Sequence, residues 1–171
     1  MYREIKKKKL ILENRKPYRK EVSQFLDELN RVDWIYSSMR LDGNNLSRNS
    51  VERILKGEFL IDVSVKDHSY ISNYKNVIDQ IYDMVEMDFY LNEKYLFKLY
   101  QTLTNETEYE YRKFNPVLRM ISYNPPHFKE IDEQMELLFT WLHSGASQTN
   151  PIEKAAYLHN KIIEIYPYKT D

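Results

Sequence analysis

A chain of 171 residues, 42% hydrophobic and 30% charged, can bury one sizeable core, and its formal net charge of -1 supplies no overall field that would draw it to nucleic acid. Three glycines argue against a Gly-rich dinucleotide-binding fold, and the lack of cysteine removes disulfides, thiolate metal sites and cysteine nucleophiles together. Fifteen tyrosines imply many half-buried rings, each with a hydroxyl at its edge.

At the N-terminus, Lys6 to Lys9 run into Leu10, Ile11 and Leu12, an apolar stretch far too short for a signal peptide core or a membrane span. The lysines read either as a solvated arm or as an anion-binding patch, and the solvated arm is the expectation. With no cysteine and no span, the expected protein is cytoplasmic, with neither a membrane nor a nucleic-acid partner.

From Glu21 the apolar residues Val22, Phe25, Leu26, Leu29, Val32, Ile35, Tyr36 and Met39 step by three and four, which predicts one helix ending at Gly43. Ser47 is placed to cap a short helix, with Leu46 and Val51 as a hydrophobic staple and Gly57 as its stop. A longer helix with Ile71, Tyr74, Val77, Ile78, Ile81, Met84 and Val85 on its buried side follows. Asn92 caps another, carrying Tyr95, Leu96, Leu99, Tyr100 and Leu103. Between Tyr109 and Tyr123 short β-prone runs broken by Asn115-Pro116 predict a small hairpin or extended flap. Ile131, Met135, Leu138, Trp141 and Leu142 mark the next helix, closed by Ser144-Gly145. Asn150 caps the last one, with Pro151 at its first position and Glu153 placed to reach back; Ala155, Ala156, His159, Ile162, Ile163 and Tyr166 share a face, and Pro167 ends it. The fold class is therefore all-α with a small β-hairpin flap. An arm and helix cover residues 1–32, and the main domain covers 33–171.

Two distant segments resemble the Fic family. Ser38-Met39-Arg40-Leu41-Asp42-Gly43-Asn44-Asn45-Leu46-Ser47 is similar to the family's inhibitory motif S/T-x-x-x-E-G/N: Ser38, Gly43, Asn44 and Leu46 match, and Asp42 stands where the family has Glu. Its place ahead of the rest resembles the class with an N-terminal inhibitory helix. The run from Asn150 to Asp171 is similar to the family's core helix and the opening of its loop H-P-F-x-D/E-G-N-G/K-R, with Tyr166, Pro167 and Tyr168 at the H-P-F positions. The stretch from Tyr111 to Trp141 resembles the flap and the helix after it, including a Pro-Pro pair.

The resemblance implies transfer of AMP from ATP to a hydroxyl of a target protein, with magnesium bridging phosphates. It makes Tyr166 the residue at the position of the catalytic base. A phenol ionises near pH ~10 and is a poor base at neutral pH, so the family type is expected to be inactive as it stands here. Tyr166 equally reads as a core aromatic that ends its helix. Thr170 falls at the magnesium-binding acid, where a hydroxyl is a weak ligand, so no metal residue is assigned. Asp171 lies one residue late, and the rest of the phosphate loop would fall beyond the residues given. In the family the flap docks the target by β-augmentation, which points to Val117, Leu118, Arg119, Met120, Ile121 and Ser122 as a docking edge for a target protein. The alternative to a transferase is a non-catalytic binding or regulatory module that uses that flap and needs no cofactor. His68, His127 and His143 lack metal-site spacing, and His159 reads as a packed helix residue.

Overall fold

The computed structural model describes residues 2–87, 89–118, 123–145 and 149–169. Their secondary structure is helical: α1 (Tyr2–Glu13), α2 (Lys20–Leu41), α3 (Arg48–Leu55), α4 (Val65–Glu86), α5 (Glu93–Thr104), a 3-10 turn (Phe128–Glu130), α6 (Ile131–Thr140), a π-turn (Trp141–Gly145) and α7 (Pro151–Ile165), joined by irregular connections. The chain forms two compact units, Met1–Asp83 and Met84–Asp171.

In the first unit, Ile35 and Met39 of α2, Val51 and Ile54 of α3, Leu60 and Val63 of the connection, and Ile71 and Ile78 of α4 form one buried cluster. The buried pairs recur at i, i+3, i+4 or i+7, so each helix turns a single stripe inward. Both helix ends are set by glycine. Gly43 (φ +83°) follows α2, where its N–H donates to the Arg40 carbonyl and that of Asn44 to the Met39 carbonyl. Gly57 (φ +89°) does the same after α3. Both are Schellman closures, which need a residue free to take positive φ. The Ser47 hydroxyl accepts from the Ser50 N–H at 3.0 Å, as its spacing predicts. α4 begins six residues earlier than its apolar pattern suggests, because the Ser64 hydroxyl accepts from the Asp67 N–H and starts it. Val85, expected on the buried side, is exposed.

In the second unit, Ile131, Met135, Leu138 and Phe139 of α6 pack against Ile165 of α7. Asn92 caps α5 through the Tyr95 N–H (3.1 Å), and Asn150 caps α7 through the Ile152 N–H (2.9 Å), both as expected. Two readings need correction. α7 turns Ile165 into the core with Leu158 and Ile162 half-buried beside it, while Ala155, Ala156 and His159 are exposed and Ile163 is 57% exposed. The small alanines drew the expected face away from the larger side chains that actually pack. The second correction is the β-hairpin. Among the described residues from Tyr109 to Leu118, and at Tyr123, there is no strand. Arg119, Met120, Ile121 and Ser122 lie outside the described residues. Tyr109 and Tyr111 look β-prone in sequence, yet their rings pack on Phe97 of α5. The Arg112 N–H goes to the Pro167 carbonyl at 2.9 Å, and Pro116, Pro125 and Pro126 have no N–H to give.

Candidate functional site

The residues expected from the sequence at the family loop, Tyr166, Pro167 and Tyr168, follow α7 in the second unit, and one side chain holds them. Arg112 is 1% exposed and is the buried charged residue of the described chain. Its Nε donates to the Tyr166 carbonyl (2.7 Å), Nη1 to the Phe114 carbonyl (2.7 Å), and Nη2 to the Pro126 carbonyl (2.6 Å) and, at 3.4 Å, the Ile165 carbonyl. Among these bonds there is no carboxylate. The planar guanidinium instead gathers carbonyl dipoles, two of them at the C-terminus of α7, where the helix dipole favours a cation. Burial pushes its ionisation down from the usual value, opposed by Tyr166. An arginine stays charged regardless, so the clamp is permanent.

Tyr166 takes a left-handed conformation (φ 51°, ψ 58°), which costs a non-glycine residue roughly 1–2 kcal/mol. The Arg112 bond to its carbonyl offsets that strain and fixes the turn. Pro167 is buried. Tyr168 then enters an aromatic cluster: stacked on Tyr100 (centroids 4.3 Å, 13°), edge-on to Phe97 (5.2 Å, 88°), and 5.9 Å from Tyr111. The Tyr111 hydroxyl donates to Glu93, and the Tyr100 hydroxyl to the Lys169 carbonyl at 2.8 Å. Burial, then Glu93, pushes both the Tyr111 and Tyr168 phenols well above their ordinary range. Lys169 reaches Glu110 (3.3 Å) and Glu108 (3.5 Å). Lys113, with Glu108 and Lys169 adding to it, holds the Glu110 carboxyl down at about 2.

The Tyr168 hydroxyl is buried and has no hydrogen-bond partner among the described residues. An unsatisfied buried hydroxyl costs free energy without return. Tyr168→Phe should therefore raise the urea midpoint, worth about 1 kcal/mol on the scale of unsatisfied groups. A lowered midpoint would reveal a partner for that oxygen.

The residues expected from the sequence to form an inhibitory motif lie in the first unit, at the corner between α2 and α3. The Asp42 carboxylate accepts from the Tyr70 hydroxyl (3.1 Å), and Ser38 hydrogen-bonds Tyr74 one turn further along α4. The two rings meet edge-on at 5.0 Å. Burial raises both phenols, with Tyr74 and Asp42 adding at Tyr70. Asn44 donates to the Asp67 carboxylate at 2.7 Å and accepts from the Leu46 N–H at 2.8 Å, which locks the turn that Gly43 opens. This stretch is thus an ordered corner, with the Asp42 carboxylate engaged by a tyrosine.

Of the expected docking edge, Val117 is 81% exposed and Leu118 is half-buried. Thr170 and Asp171 lie outside the described residues. Sequence reasoning missed Arg112 and Phe97. No local signal marked the first: Lys113, in the same aromatic run, is exposed.

Among the described residues no helix is long and apolar enough to cross a membrane, and no three His, Asp or Glu side chains are grouped to hold a metal ion. No curated protein matches the chain. It is similar to two solved structures. One is a Fic domain containing signaling protein from Bacteroides thetaiotaomicron VPI-5482 (TM-score 0.82, 22% identity, covering 91% of this chain and 63% of that one). The other is a Fic family protein from Desulfovibrio desulfuricans G20 (TM-score 0.73, 18% identity, covering 95% and 47%). The chain spans under two thirds of either relative, and at these identities the likeness is one of fold. The family model described as Fic/DOC matches residues 90–170. That segment holds the Arg112 clamp and the turn at Tyr166, so the part of the chain that resembles the Fic/DOC family is the part the clamp organises.

Proposed function

We propose that the chain is a Fic-type fold of the AMP-transferring class in which residues 1–171, as they stand, do not move AMP from ATP to a protein hydroxyl. The reading rests on Tyr166, which the sequence resemblance puts at the position of the family's base. It serves its surroundings through its main-chain carbonyl, clamped by Arg112 at 2.7 Å. ATP and magnesium belong to the proposal only through the family. The described residues do not fit the metal: beside the turn, Glu108 and Glu110 are ion-pair partners of Lys169, and no metal-binding group is assembled. No step is routed through it here.

Incubation with labelled ATP, magnesium and a cell lysate should leave proteins unlabelled. Tyr166→His should not restore transfer, because transition-state groups act as a unit and one returned alone recovers little. Label that appears with the native chain and disappears in Tyr166→Phe would reverse the proposal.

A second reading, favoured by the exposure of Phe114 and Val117, is a non-catalytic module that docks an extended partner segment along residues 117–122. Hydrogen exchange of the Val117 and Leu118 amides should be fast in the free protein and at least tenfold slower with a bound partner peptide. Amides already protected without any peptide would remove this reading.

A further inference from the structure

The charge of this chain is unevenly placed. Nine of its 25 Lys and Arg fall within residues 1–20, against two acidic residues, so the near-neutral total hides a basic arm on an acidic body. Most of that arm is α1, a 12-residue helix with no buried residue. Lys6 to Lys9 are exposed, and so are Ile5 and Leu12, which lie seven residues apart on one face with Lys8 and Lys9 to either side.

A complementary surface lies on α2. Its apolar stripe is buried at Val32, Ile35 and Met39, but the same stripe continues uncovered through Val22, Phe25, Leu26 and Leu29. Phe25 alone is 62% exposed. Glu21 and Glu28, again seven residues apart, flank it. Phe25, Glu28, Leu29 and Val32 line a groove of about 760 Å³ shared with Leu55 of α3. Of the basic groups that line the same groove, Arg31 pairs with Asp79, Arg48 with Asp33 at 2.6 Å, and Lys56 with Glu52 at 2.7 Å, while Lys75 lies on the α4 side. The uncovered part of α2, residues 20–31, and α1 are each about 18 Å long at 1.5 Å per residue.

We infer that α1 of one copy lies along the Val22–Leu29 stripe of a second copy, and the reverse, so that two chains form a twofold dimer by reciprocal exchange of their arms. Ile5 and Leu12 cover the stripe, and the α1 lysines meet Glu21 and Glu28. The arm does not serve its own α2 because the connection is held: the Asn14 and Arg15 N–H groups donate to the Leu10 and Leu12 carbonyls, both at 3.0 Å, and the Tyr18 hydroxyl donates to the Leu12 carbonyl at 3.0 Å. Exchange with a second copy leaves the connection in this held form, including the Tyr18 bond that ties it to α1. A twofold exchange closes on itself, with the same patch used on both sides, and leaves no unpaired arm.

Light scattering coupled to size exclusion is the first measurement: the native chain should have twice the mass of its 20.8 kDa monomer. Lys8→Glu with Lys9→Glu, or Glu21→Lys with Glu28→Lys, should each give monomers with unchanged far-UV circular dichroism. Mixing the two monomeric variants should regenerate a dimer, because each basic surface then finds an acidic one. Phe25→Glu should also be monomeric. A monomeric native chain, a dimer indifferent to both charge reversals, or a mixture that stays monomeric would each overturn the inference. So would sedimentation of a monomeric native chain with phosphatidylserine vesicles, which would assign the arm to a lipid surface.

Discussion

Replacing Arg112 by Met should cost the second unit roughly 3–5 kcal/mol, the scale of removing one partner from a buried charged network. The cost comes from what is left behind more than from what is lost. Met fills much of the volume, but the carbonyls of Tyr166, Phe114 and Pro126 would face a thioether that donates nothing. Each orphaned buried acceptor costs about 1–3 kcal/mol, only partly relieved by entering water. Arg112→Lys should recover less than half of the loss, because an ammonium cannot span carbonyls that sit around a planar fork. The check is urea unfolding followed by near-UV circular dichroism, with the tyrosines of the second unit as reporters. A loss below 1 kcal/mol for Arg112→Met would mean that the loop keeps its shape without the clamp. Domains are stable by only about 5–15 kcal/mol, so the larger figure would leave the unit close to unfolding at room temperature.

Phe97→Ala carries an expected loss of similar size, about 3–5 kcal/mol, the usual range for a buried phenylalanine. Phe97 is 1% exposed and touches four rings, those of Tyr100, Tyr109, Tyr111 and Tyr168. Truncation leaves a cavity in the middle of that cluster, and rings held from several sides collapse into it poorly. The loss should therefore lie near the upper end for the residue type, and the tyrosine near-UV signal should weaken in the folded variant. Phe97→Leu, which keeps most of the volume, should cost under half as much. Equal losses for the two variants would show that the rings hold one another without Phe97 as their centre. The contrast with Tyr168→Phe is informative: one substitution deletes packing, whereas the other deletes only an unpaired oxygen.

The sequence by itself determined α2 to α7 and most of their ends, though not α1, which reads as an arm, nor the start of α4. Asn92, Asn150 and Ser47 cap because a short polar side chain reaches the orphan N–H groups of its own first turn, and Gly43 and Gly57 stop because glycine tolerates positive φ; these are decisions made within a few residues. The likeness to the Fic family was legible for the same reason, since motif residues keep a fixed spacing along the chain. Which face of α7 is buried was not legible, because Ala155, Ala156 and Ile163 fit an apolar stripe as well as Leu158, Ile162 and Ile165 do until α6 is in place. The tyrosines at 109 and 111 carry β-propensity, yet Phe97 recruits them into a cluster, and propensity of that size is easily overridden by packing. Arg112 is the clearest case. One acceptor, the Phe114 carbonyl, is local, but those at Pro126, Ile165 and Tyr166 are 14, 53 and 54 residues away, and only the folded chain brings those carbonyls to it.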